Sequence, residues 1–186
     1  MNEFNKFSES YFAKLHTALQ SIPRESVNEL AEDIRRVWKN KTQLFIIGNG
    51  GSAGNAIHLA NDYLYGISRD KTPRIRVNAL ASNSSVITCL ANDEGYENIF
   101  SEQLKTLANK DDQLLAFSGS GNSPNILKAL EWCKENNIKS HAILGYSGGK
   151  AKKLCDNPIH IPIDDMQISE DIQLIVGHMI MQWLCD

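Results

Sequence analysis

The chain has 186 residues, 42% of them apolar, and a formal net charge of −3. A weakly acidic chain lacks the basic footprint that nucleic-acid binding requires. No apolar run is long enough to span a bilayer, and "MNEFNKFSESYF" has no basic start followed by an apolar block, so neither membrane insertion nor secretion is expected.

The segment from Asn2 to about Asn40 reads as helical. Phe4, Phe7, Phe12, Leu15 and Leu19 recur at helical spacing, and after Pro23 so do Val27, Leu30, Ile34 and Val37. These helices are not needed to complete an α/β sheet. They pack either on the chain's own sheet, the plainer reading, or on a partner subunit. From Thr42 onward, short apolar strands alternate with helical stretches. The predicted strands are "LFII" (44–47), "RIRVNAL" (74–80), "QLLAF" (113–117), "SHAIL" (140–144) and "PIHIPI" (158–163). The predicted helices run over 52–67, 84–107 with a break near Gly95, 123–136, 150–155 and 169–184. This alternation predicts a doubly wound α/β fold, a five-stranded parallel sheet with helices on both faces. No linker divides it, so 1–186 reads as one domain with 1–41 as a helical extension. The cysteines at 89, 133, 155 and 185 have no paired spacing and read as reduced thiols.

Ligands of such sheets bind beyond the carboxyl ends of the strands. Three glycine-serine turns stand there: "GNGGS" (48–52), "SGSGNS" (118–123) and "GYSGGK" (145–150). Glycine lets the backbone approach a ligand, and a helix N-terminus behind such a turn favours an anion. Ser52, Ser118, Ser120 and Ser123 add hydroxyl donors. Tight turns with helix caps, Ser123 before Pro124 above all, are the plainer account of any one turn. Two serine-laden turns at neighbouring strand ends point to phosphate. Gly48-x-Gly50-x-x-Ala53 loosely matches the dinucleotide fingerprint, but the second strand ends in no acid for a ribose. The first turn also lacks the lysine of a P-loop. A small phosphate monoester fits better than a nucleotide.

Two helices carry further chemistry. His58 and Asp62 are spaced i, i+4 and share a face behind the first turn. Glu170 and His178 lie eight residues apart, about 80° around the final helix, so both can reach one site. Gly177 is costly in mid-helix and predicts the close approach of another backbone. Each pair alone is as readily a solvated contact or a satisfied core histidine. Together they can form a mixed N/O site for Zn²⁺ or a similar cation. Equally, they can exchange a proton across two carbons of a sugar, as aldose–ketose isomerisation requires.

The stretches "GNGGSAGNAIHLAND", "ANDEGYENIFSEQL", "SGSGNSPNILKAL", "GGKAKKLCD" and "DIQLIVGH" resemble the sugar isomerase (SIS) domain, more narrowly the sedoheptulose-7-phosphate (phosphoheptose) isomerases. The resemblance covers nearly the whole chain. It implies a cytoplasmic homotetramer with active sites between subunits, making D-glycero-D-manno-heptose 7-phosphate for bacterial surface polysaccharide. It implies that Ser52, Ser118, Ser120 and Ser123 hold phosphate and that Asn49 and Asp93 contact the sugar. Asp62 falls at the catalytic carboxylate and His178 at the catalytic histidine, while His58, Asp62, Glu170 and His178 fall at the zinc positions. The chain departs from that pattern. Asp62 stands for glutamate, Glu170 for glutamine, Gln167 for aspartate and Gly119 for threonine. Two alternatives stand beside the enzyme: a non-catalytic protein like those SIS proteins of this size that bind the replication initiator, or a sugar-phosphate sensor that binds ligand through the serine turns without turnover. Retention of all four candidate ligands favours the enzyme.

Overall fold

The computed structural model describes residues 2–67 and 74–186. Two helices come first, α1 (Glu3–Gln20) and α2 (Arg24–Asn40), followed by β1 (Gln43–Ile47) and α3 (Gly51–Asn61). A π-helical turn, Asp62–Gly66, continues α3. Then come β2 (Arg76–Ala79), α4 (Ser84–Asp93), a 3₁₀ turn (Tyr96–Asn98) and α5 (Ser101–Leu107). The chain closes with β3 (Gln113–Ser118), α6 (Pro124–Glu135), β4 (Lys139–Leu144), α7 (Ala151–Leu154), β5 (Asn157–His160) and α8 (Met166–Cys185).

The strands form one parallel sheet in the order β2-β1-β3-β4-β5. Both faces are covered, which is why β1 and β3 read as unbroken apolar runs. Leu44, Ile46, Leu115, Phe117 and Ile143 point to a core shared with α2, α3 and α8. Phe45, Ile47, Leu114, Ala116 and Leu144 point to a core shared with α5, α6 and α7. Strand order reverses between β1 and β3. That switch point places the turns after these two strands on either side of one crevice.

Several element ends differ from the sequence reading. The last helix begins at Met166, not 169, because Asp165 caps it by accepting from the Ile168 amide (3.2 Å). The second strand covers only Arg76–Ala79. The fifth ends at His160, although the Ile161 amide still donates to Leu144 O (2.9 Å). Gly177 is approached by a side chain rather than a backbone: a methyl there would collide with Leu59, and the Tyr63 hydroxyl donates to Gly177 O (2.9 Å). Of the N-terminal helices, α2 packs on the chain's own sheet through Leu30, Ile34 and Val37. By contrast, α1 leaves Phe4, Phe7 and Phe12 at 71, 64 and 65% exposure. Among the described residues, no helix is long and apolar enough to cross a membrane.

Candidate active site

The turn after β1 needs Gly50 at φ 54°, a conformation L side chains rarely adopt. It feeds directly into α3, whose N-cap is that glycine and which no side chain caps. Asn49 beside it is locked by a reciprocal amide pair. Its Nδ2 donates to Asn125 Oδ1 and it accepts from Asn125 Nδ2, each at 2.8 Å, while the Tyr96 hydroxyl donates to Asn49 Oδ1 (3.1 Å).

Ser52 is buried in the first turn of α3, where its Oγ accepts from Gln173 Nε2 (3.0 Å). Asn55 in turn donates to Gln173 Oε1 (3.0 Å). With its acceptor side engaged, the Ser52 hydroxyl proton is available to a ligand. Ser118 is in the same state, accepting from the Gly121 amide (3.0 Å). Ser123 heads α6 without a side-chain cap bond, so its hydroxyl is not spent on the helix. The turn after β4 does not line the crevice. It braces the second turn from behind: Ala151 N donates to Gly121 O (3.0 Å) and Lys150 N to Asn122 Oδ1 (3.1 Å).

A cleft of about 270 Å³ results, lined by Asn49, Ser52, Ser118, Ser120, Ser123 and Glu170 among others. Six predicted residues thus share one cavity. Met166 lines it too; a Cβ on Gly119 would meet the Met166 Sδ at 2.6 Å, so a thioether stands where a threonine side chain would begin. Asp93 is not among these residues. It sits exposed at the end of α4, accepting from Asn92 Nδ2 (2.8 Å).

Helices α3 and α8 lie side by side and run the same way. Contacts advance in step from Gly51–Glu170 through Ser52–Gln173 to Leu59–Gly177. Two turns beyond the cleft this pairing joins His58 to His178, their Nε2 atoms 2.9 Å apart with the rings edge-on. Asp62 Oδ2 lies 3.3 Å from each Nε2. The π-helical turn starts at Asp62; such insertions are frequent at functional sites. Two imidazoles and one carboxylate therefore converge, their ligating atoms all within 4.8 Å of one another. That donor set suits Zn²⁺, and three protein ligands leave a coordination position open for chemistry. Glu170, the fourth candidate, stands apart from this cluster; a Cβ at Gly51 would collide with its carboxylate.

Comparison with known proteins decides the family, since residues 10–145 match the SIS domain. The chain belongs to the SIS-domain family. Within it, the chain groups with the phosphoheptose isomerases. Phosphoheptose isomerase 2 of Campylobacter jejuni is 33% identical over 185 residues, covering 97% of this chain and 92% of its own. The phosphoheptose isomerase of Trichlorobacter lovleyi is 40% identical over 162 residues, covering 86% and 79%. The structure of phosphoheptose isomerase from Neisseria gonorrhoeae superposes with a TM-score of 0.87 at 25% identity, over 97% of this chain and 98% of that one. This SIS-domain protein is an isomerase. Sequence reasoning did not find Gln173, Asn55 or Asn125. Their signal is absent from local spacing, because each acts on a residue between 76 and 121 positions away.

Proposed function

We propose that this SIS-domain isomerase interconverts sedoheptulose 7-phosphate and D-glycero-D-manno-heptose 7-phosphate, serving heptose biosynthesis in the cytoplasm. The names of its relatives supply the substrate class. The observation that carries the reading is the convergence of His58, Asp62 and His178 on the two helices that also border the serine-lined cleft.

In this proposal Ser52, Ser118, Ser120 and Ser123 donate hydroxyl protons to the phosphate at the α3 N-terminus. Asn49, fixed by Asn125, orients the sugar chain, with Asp93 at its border. Asp62 takes the proton from the carbon beside the carbonyl, giving an enediol. His178 moves a proton between the two oxygens, and the carboxyl group returns its proton to the neighbouring carbon. The 3.3 Å separation of Asp62 Oδ2 and His178 Nε2 allows both groups to act on one two-carbon unit. His58, Asp62 and His178 would hold Zn²⁺, with Glu170 the fourth candidate. When bound, the cation would polarise the substrate oxygens. The residues 1–186 act as one SIS unit with 1–41 as its helical extension. The exposed phenylalanines of α1 are covered in a homotetramer whose subunits share sites.

The test is incubation of the purified protein with sedoheptulose 7-phosphate, with and without added zinc, and detection of the aldose. Turnover is expected, faster with metal. No aldose under either condition overturns the proposal.

A further inference from the structure

Glu170 is out of character for its surroundings. The cleft is otherwise lined by neutral hydroxyl, amide and apolar groups: Ser52, Ser118, Ser120, Ser123, Asn49 and Met166. Into it projects one carboxylate. It stands over Gly51, close enough that a methyl group at that position would collide with both its oxygens. Gly51 is the first residue of α3, so the carboxylate lies against the helix end where partial positive charge collects. No described residue donates to the carboxylate oxygens; only the Glu170 main-chain oxygen is held, by Asn55 Nδ2 (2.9 Å). The backbone is anchored and the charged end is left facing the cleft.

We propose that Glu170 is a resident anion in the phosphate seat, and that it makes the cleft select phosphorylated sugars over free phosphate. The proposal rests on the assignment of this cleft to phosphate in the preceding section. A phosphate entering the seat meets a like charge at short range, or must push the carboxylate aside from the α3 terminus. Either course costs inorganic phosphate and a sugar phosphate about equally. The sugar phosphate has hydroxyl groups, and an ionised carboxylate is a strong acceptor for them. The same group that repels the phosphate therefore binds the chain attached to it. Inorganic phosphate meets the repulsion and has no sugar chain to offset it. A neutral glutamine would remove the repulsion and weaken the hydroxyl contacts together.

The experiment measures the dissociation constants of inorganic phosphate and of sedoheptulose 7-phosphate for the wild-type protein, Glu170→Gln and Glu170→Ala by calorimetry. Circular dichroism melting confirms that each variant is folded. Phosphate is expected to bind at least ten-fold more tightly to both variants. The preference for the sugar phosphate over phosphate is expected to shrink as well, because the relief of repulsion is shared by both ligands while the hydroxyl contacts are lost by the sugar phosphate alone. Unchanged or weaker phosphate binding in both folded variants overturns the proposal. Turnover by the wild-type protein is scored separately. A wild type inactive on sedoheptulose 7-phosphate whose variants still gain phosphate affinity would sink the proposed substrate and leave Glu170's role standing.

Discussion

His178, the proton-moving group of the proposed mechanism, stands apart from the serine-lined turns. Its Nε2 faces His58 and Asp62, at 2.9 and 3.3 Å, and it lines no part of the serine cleft. Removing the ring should therefore separate two properties that share one active site. His178→Ala is expected to lower turnover of sedoheptulose 7-phosphate by 100-fold or more, of the order general acid–base catalysis contributes. Binding of a phosphate ligand should change less than about three-fold, because the serine hydroxyls and their supports are untouched. Steady-state kinetics alongside calorimetric titration would read both. A fully active variant would remove His178 from the mechanism.

Helix α1 is covered by its own chain over only part of its length. Its last turns pack through Ala18, yet Phe4, Phe7 and Phe12 lie largely in solvent. A further apolar groove between α2 and α8, lined by Leu19, Val27, Met179 and Trp183 among others, adjoins the same side. Exposed apolar area of this kind marks an interface. If α1 is covered by another copy of the chain, Phe7→Glu with Phe12→Glu should split the assembly into smaller species. Light scattering should then report a mass close to the 20.8 kDa subunit. An assembly of unchanged mass would exclude α1 from the contact. Helices α2, α3 and α8 are explained from within: α2 by its apolar stripe on the sheet, and α3 and α8 by the register that seats Leu59 over Gly177.

Across the whole molecule, a second polar cluster, apart from the candidate site, bears on stability. On the face covered by α2, His141 of β4 and Asp33 of α2 are both buried, with His141 Nε2 3.2 Å from Asp33 Oδ2. Asn157 Nδ2 lies 3.0 Å from His141 Nδ1 and can donate to it, which leaves the neutral ring's proton on Nε2, facing Asp33. Arg36 pairs with Asp33, and Lys139 pairs with Glu29 (2.6 Å), tying α2 to the sheet. Burial pushes the His141 imidazole down to about 4; Lys139 adds to the shift, while Glu29 and Asp156 oppose it. The unfolded chain takes up this proton below about pH 6.5, whereas the folded one resists until about pH 4. The contribution is therefore complete above pH 6.5 and is lost as pH falls through that window, amounting to about 3 kcal/mol. Urea melts at pH 7 and pH 5 should show the loss, and His141→Gln should flatten the difference. Equal slopes in the two proteins would refute this account.

What could be read from the residues alone follows from local physics. The apolar runs and their alternation determined a parallel sheet with two covered faces, because strand and helix periods are properties of neighbouring residues. The glycine-serine turns and the i, i+4 pair of His58 and Asp62 were legible for the same reason. Only the tertiary structure decided that α8 lies beside α3 in parallel, bringing His178 to His58 across 120 positions while leaving Glu170 over Gly51. It also decided that Gln173 supports Ser52 and Asn125 supports Asn49. Spacing along one helix limits which residues share a face. Which neighbour meets that face, and in what register, depends on packing between segments distant in the chain.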